Sequence, residues 1–167
     1  LSAMDAIGKL GLKGAGTLIF DLVAGENHPD AVRRAALALL DTLYDPRLSE
    51  AVAAAGTSAV SSLRLAALPL AARLSPAASI PVIETLLAEG NQAEQRAAFN
   101  AIDTLADPRA ADLVAAALDR LDRGEVAVGV QLDLLEIAGK RSEEPIKERL
   151  TRRETALAAD PDPLAPY

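Results

Sequence analysis

The sequence predicts an all-α protein built as a stacked array of helix pairs. An internal period and a composition poor in strand formers carry that prediction. Ala35-Ala36-Leu37, Ala66-Ala67-Leu68 and Ala97-Ala98-Phe99 recur at a constant step of 31 residues. Leu43, Leu74 and Leu105 keep the same step, as do Leu40, Ala71 and Ile102. The stretch 39–47 (LLDTLYDPR) is echoed two periods later at 101–109 (AIDTLADPR). A fixed period of this size marks a repeat array in which each unit buries its apolar face only against its neighbours. Of the 167 residues 50% are hydrophobic but only 2% aromatic, so small aliphatic side chains supply the packing, and these favour close helix contacts over strands.

Each element follows from local pattern. Residues 1–13 read as part of a helix from a preceding repeat. The array itself spans 14–157, and 14–24 forms its first helix, with Leu18, Ile19 and Leu22 in register with Ala51, Val52 and Ala55 of the next unit. The second helix of each pair carries the alanine signature and is predicted over 30–43, 61–74 and 92–105. First helices show a weaker stripe in the same step: Ala51, Val82, Leu113; Val52, Ile83, Val114; Ala55, Leu86, Ala117. Within 112–121, Val114, Ala117, Leu118 and Leu121 take the i, i+3, i+4, i+7 spacing of one buried face, with Asp112, Asp119 and Arg120 opposite.

Boundaries have physical causes. Asp45-Pro46 and Asp107-Pro108 each place a capping carboxylate before a proline at the first helical position, where a missing N–H costs nothing. Ser75-Pro76 and His28-Pro29 are similar. Gly56, Gly90, Gly124 and Gly139 fall where helices should stop. Pro69 and Pro81 lie inside predicted helices and should kink them or force a local start. Past residue 120 the period slips, because 81–86 is echoed by 145–150, 64 residues on. Counting both ends gives about ten helices, or five helix pairs, some incomplete. Residues 158–167, with three prolines in the last eight, read as an extended linker.

Charge and composition exclude several function classes. The chain has no cysteine, which removes thiol catalysis, disulfides and cysteine-ligated metal. No apolar run approaches the roughly 20 residues that span a bilayer, so membrane insertion is not expected. Residues 1–83 carry seven acids and seven bases, whereas 84–167 carry 17 acids and ten bases, which accounts for the net charge of −7. An acidic half with almost no aromatics is a poor surface for phosphate backbones or stacked bases, and nucleic acid is not an expected partner.

The residues with chemical potential read mainly as structure. His28, the one histidine, has Glu26, Asn27 and Asp30 within a turn, but it sits where an inter-helix turn precedes Pro29. Asp41 with Asp45, and Asp103 with Asp107, form i, i+4 carboxylate pairs. Such pairs serve acid–base chemistry when burial splits their pKa values, yet recurrence with the period favours capping. Gly8, Gly11, Gly14 and Gly16 cluster without a preceding strand or a Gly-Lys-Ser/Thr, which favours a loose turn between the first two helices over a phosphate loop. In 140–154 basic and acidic residues alternate. Glu143–Lys147 and Glu148–Arg152 have the favourable i, i+4 order of a solvated last helix, which could also dock an acidic neighbouring domain. No catalytic, cofactor or metal site emerges.

Val32-Arg33-Arg34-Ala35-Ala36-Leu37 and Leu63-Arg64-Leu65-Ala66-Ala67-Leu68, with Asp-Pro opening the next unit, resemble the short bacterial HEAT and HEAT-like repeats of the bilin-lyase type. That resemblance implies a right-handed α-α superhelix. The family's Val-Arg at the start of the second helix survives at Val32-Arg33 and Leu63-Arg64. It is lost at Glu94-Gln95 and Val128-Gly129, so a ladder of Arg–Asp contacts between repeats is not expected past the second unit. A narrower similarity lies in 131–138 and 162–167, which look like the end of the HEAT segment in large membrane-bound dehydrogenases of planctomycetes and verrucomicrobia. Those multidomain proteins carry a β-propeller before the array and a c-type haem domain after it.

The resemblance implies a non-catalytic scaffold without a cofactor, which holds a protein or a neighbouring domain of a larger envelope redox protein. Stacked pairs create a concave surface lined by second helices, which places Arg33, Asp41, Arg64, Arg73, Arg96, Asn100 and Asp103 on a candidate interaction face. The alternatives are a HEAT-like enzyme, such as a bilin lyase or a DNA glycosylase, and a passive structural spacer.

Overall fold

The computed structural model describes residues 15–159, which form nine helices and no strand. They are α1 (Gly16–Ala24), α2 (Asp30–Thr42), α3 (Leu48–Gly56), α4 (Ser61–Leu74), α5 (Pro76–Glu89), α6 (Gln92–Thr104), α7 (Arg109–Asp122), α8 (Val128–Gly139) and α9 (Glu144–Ala159). The three alanine-signature helices begin at the predicted residues, and two end one residue early. The partial helix expected over 1–13 lies outside the described residues. So does the linker expected over 158–167, except for its first two residues, which belong to α9.

The chain divides into two compact units, one ending at Ser79 and the other beginning at Ile80. In the first, α1 pairs with α2 and α3 with α4, while α1 also lies on α3 and α2 on α4. In the second, α7 pairs with α8, α6 lies on α8, and α7 lies on α9. Within the first unit each helix touches its chain neighbour and a helix two places along, and in the second the two-place contacts of α6 with α8 and α7 with α9 recur. Such contacts are what tandem helix pairs require.

The period reflects burial. Ala36, Ala67 and Ala98 are 0%, 2% and 0% exposed, and each is followed by a buried larger residue: Leu37, Leu68 and Phe99. A methyl group at the tightest point lets neighbouring helices approach, and the next side chain fills the space beside it. Around Ala36 and Ala67 the first unit gathers Ile19, Val23, Leu40, Ala51, Ala55 and Leu63. The second unit buries Ile83, Ile102, Val114, Leu118, Val130, Leu134 and Ile146.

The helix ends follow the expected chemistry with small shifts. Asp45 Oδ1 accepts the Arg47 N–H at 2.9 Å, and Asp107 Oδ1 accepts the Arg109 N–H at 3.0 Å. Each carboxylate therefore caps its helix across the proline, although the regular helices begin at Leu48 and Arg109 rather than at Pro46 and Pro108. Pro108 already has helical dihedrals, φ −54° and ψ −31°. Arg109, through side chain and backbone, holds the Asp107 carboxyl down to about 2. At α6, Asn91 and Glu94 form a reciprocal capping box that the sequence reading missed. Pro69 and Pro81 lie within unbroken α4 and α5.

Gly16 opens α1 rather than sitting in a loose turn, which corrects the reading of the glycine cluster; Gly8, Gly11 and Gly14 lie outside the described residues. A Cβ at Gly16 would stand 2.1 Å from Asp45 Oδ2, so the bare backbone lets α1 begin against that buried carboxylate.

Two helices close through a left-handed residue. After α7 this is Gly124 (φ 72°), with Glu125 N–H donating to Arg120 O at 2.9 Å. After α2 it is Tyr44 (φ 51°), with Asp45 N–H donating to Leu40 O at 3.0 Å. A side chain in this region costs roughly 1–2 kcal/mol, and glycine avoids the cost. The Tyr44 ring is 87% exposed and contributes little packing. Tyr44→Gly is therefore expected to raise stability by about 1 kcal/mol, and Gly124→Ala to lower it by about as much, in urea melts. A Tyr44→Gly protein less stable than the parent would contradict this account.

Candidate functional site

The polar side chains that the period brings together form rows between helices. One row starts at Arg33, whose Nε donates to Val23 O at 2.9 Å and so satisfies a carbonyl in the last turn of α1. Thirty-one residues on, Arg64 Nη1 donates to Ser58 O at 2.7 Å and Ala59 O at 3.0 Å, just past α3. After another 31, Gln95 Nε2 donates to Leu87 O at 3.4 Å in the last turn of α5. Gln131 repeats the arrangement on Val126 O at 2.9 Å. This position seals the junction between the two helices of a pair, and a neutral amide serves where the guanidinium is missing.

Arg33 is only 5% exposed, which corrects its placement on a surface face. Its stem is buried and its Nε is committed to a carbonyl, so the side chain does not stand out on an exposed face.

A second row links second helices. In the first unit Arg73 of α4 pairs with Asp41 of α2. In the second, Arg96 Nε bonds Asp133 at 3.1 Å and its Nη2 donates to Gly129 O at 2.8 Å, beside Gln92 Nε2 on the same carbonyl at 3.1 Å. Lys140 Nζ lies 3.6 Å from Asp103, and Arg141 Nη2 donates to Ile102 O at 2.9 Å.

A third row links first helices. Arg149 of α9 clamps Asp119 of α7 with two bonds, at 2.9 and 2.8 Å, and Arg153 reaches Asp122 at 3.0 Å. The Arg149 hydrogen bond keeps the Asp119 carboxyl below its ordinary range, against the opposing effect of burial. Arg–Asp contacts between neighbouring helix pairs thus continue beyond the second 31-residue repeat, contrary to expectation. They are made by residues other than the Val-Arg arginine.

These rows account for most of the candidate interaction face. Asp41, Arg64, Arg73, Arg96 and Asp103 all have partners within the chain, and Asn100 is an exposed residue on α6. The i, i+4 pairs expected on the last helix do not form: Arg152 turns to Asp119 and Asp122, and Glu143 bonds Arg141 before the helix begins. Cross-helix carboxylates win because they are shared by several guanidinium groups. Exposed pairs are worth only about 0–1 kcal/mol each, so the rows fix register more than they add stability.

Other candidates are placed plainly. His28 is exposed in the α1–α2 turn. The carboxylates of Asp41, Asp45, Asp103 and Asp107 each face a partner of their own, so neither pair acts as a proton-sharing dyad. Among the described residues no three His, Asp or Glu side chains come together to hold a metal ion, and no helix is long and apolar enough to cross a membrane. The partly open space bounded by Leu87, Gln95, Phe99, Ala117, Arg120 and Val126 is about 10 Å³, room for at most one water.

One surface feature escaped the sequence reading. On α8, Val128 and Leu132 are 74% and 76% exposed at i, i+4 spacing, although Val130, Leu134, Ile137 and Ala138 of the same helix are buried. The signal was available: α8 is apolar on more than one face, which a helix covered on one side only does not need.

No protein-family model, curated protein or solved structure matches the chain.

Proposed function

We propose that this chain is a non-catalytic repeat scaffold, a short HEAT-type α-solenoid with right-handed superhelical stacking, which holds another protein or domain in place. The observation that carries this reading is the polar row at 33, 64 and 95, which keeps the 31-residue step and performs one structural task at each position. Repeated junctions of this kind suit an extended array, because each pair contacts only its neighbours. Small-angle scattering tests it. A compact 167-residue domain has a radius of gyration of about 15 Å. The proposed array requires a distinctly larger value and an elongated distance distribution, and a value near the compact one would overturn it.

The wider context is proposed on the resemblance alone: a segment of an envelope redox protein, with the redox chemistry in other domains. An encoding frame with a Cys-x-x-Cys-His soon after Tyr167 would support that context, and a frame without haem or propeller domains would remove it. A passive spacer is favoured as the second reading by one observation, the internal pairing of Asp41, Arg73, Arg96 and Asp103. Separating scaffold from spacer depends on finding a surface the chain does not use itself.

A further inference from the structure

We propose that the face of α8 carrying exposed Val128 and Leu132, with half-buried Leu135 beside them, receives a basic amphipathic helix of another protein, in the register in which α8 itself lies on α6. The inference rests on the stacked-array reading and adds to it a place and a class of partner.

The register comes from the chain. Gln95 and Gln131 perform the same task on successive second helices, so α6 maps onto α8 by an offset of 36 residues (131 minus 95). On α6 the side chains that receive α8 include Gln92, Arg96 and Asp103, which meet Gly129, Asp133 and Lys140. The same offset carries Gln92, Arg96, Phe99 and Asp103 to Val128, Leu132, Leu135 and Gly139. The face of α8 that would receive the next helix is therefore this one, and it continues the α6–α8 interface.

Its chemistry has changed in a definite way. Where α6 offers an amide and a guanidinium, α8 offers two aliphatic side chains that are mostly exposed. An aliphatic stripe in stacking register asks instead for a helix with its own apolar stripe at i, i+3, i+4 and i+7.

Charge selects the partner. Residues 80–83 are uncharged, so the second unit holds the 17 acids and ten bases of the acidic half. Nearly every base there is bound to an acid or a carbonyl, and Lys147 alone forms no ion pair among the described residues. Glu136 flanks the stripe one turn beyond Leu132, with a side chain 67% exposed and only Lys140 near it at 3.5 Å. On α9, which packs on α7, Glu144, Glu148 and Glu154 add to this excess and form no ion pair among the described residues. A second copy of the chain would bring the same excess of acids to the contact and be repelled, whereas lysine or arginine beside an apolar stripe would be attracted.

The probe is a fluorescein-labelled synthetic peptide of about 18 residues, with leucine at i, i+3, i+4 and i+7, lysine flanking that stripe and alanine elsewhere to favour the helix. Its control has glutamate in place of every lysine. Fluorescence anisotropy at about 0.15 M salt should give saturable one-to-one binding of the lysine peptide to the full chain. Leu132→Glu and Val128→Glu should each weaken it about tenfold or more. Leu18→Glu, at a comparably exposed aliphatic residue of the first unit, should leave binding unchanged. Circular dichroism checks that each variant is folded.

Non-saturating binding, equal binding by the glutamate peptide, or equal binding to the Leu132→Glu protein would each overturn the proposal. So would a peptide-free dimer in sedimentation that Leu132→Glu dissociates, because the face would then belong to a second copy. Scattering on the same samples keeps the two readings apart. An elongated particle that fails to bind the peptide would leave the scaffold standing as a spacer and remove only the docking site.

Discussion

Ile102→Ala is expected to lower the unfolding free energy by about 3 kcal/mol, within the range for removing a fully buried branched side chain. Ile102 is 0% exposed and occupies the register position of Leu40 and Ala71. Part of the loss is transfer free energy, and the rest is the cavity that the surrounding side chains cannot fill. Its carbonyl also accepts the Arg141 guanidinium, a bond to backbone that the substitution leaves in place, so the effect isolates packing. For a chain of this size each kcal/mol shifts the melting temperature by about 2–4 °C, which gives a fall of roughly 10 °C. Leu132→Ala, which trims a side chain 76% exposed, should change stability by less than about 0.5 kcal/mol. Urea melts of the two variants side by side check the pair. Equal effects would mean that the second unit does not pack around Ile102 as described.

Much of the architecture was legible because the period samples burial directly. Ala36, Ala67 and Ala98 stand out in the sequence by their constant step, and all three are buried. The starts of α2, α4 and α6 were found to the residue for the same reason. The polar rows were less legible. Arg33 reads as a surface group because position on a helix says nothing about which carbonyl a long side chain reaches. At the single register position of Arg33 and Arg64 the Arg–Asp ladder breaks after the second repeat, whereas Arg96, Arg149 and Arg153 restore it from other positions. Likewise the sequence of the last helix suggests i, i+4 pairs, but Asp119 and Asp122 of α7 each accept from two guanidinium groups and outcompete a single local carboxylate. Residue types fix what can be paired; the stacking of first helix on first helix decides what is.

That competition makes α9 the element most dependent on a few contacts. Among its residues only Ile146 is buried, at 0% exposure, and Asp119 and Asp122 supply the polar attachment to α7. Ile146→Ala should therefore loosen α9 from α7 before the rest of the second unit is affected. A cost of roughly 2–3 kcal/mol, typical for such a truncation, corresponds to a 30- to 150-fold rise in amide exchange across 146–157. Exchange in α6 and α7 should change far less. Asp119→Asn, which keeps the shape but removes the charge that Arg149 clamps, should raise exchange in the same segment several-fold, as befits a partly exposed pair.

Acid should reproduce the weaker effect. Arg149 lowers the folded-state pKa of Asp119, so the carboxylate contributes stability at pH values above its ordinary unfolded value near 4. That contribution fades as pH falls through the unfolded value toward the depressed folded one. Protection of α9 should thus be level from pH 7 to about pH 5 and decline below about pH 4. In Asp119→Asn the part of this decline owed to Asp119 should be absent. If α9 exchanges no faster in Ile146→Ala than in the parent chain, its attachment must rest on contacts other than Ile146 and the two aspartates.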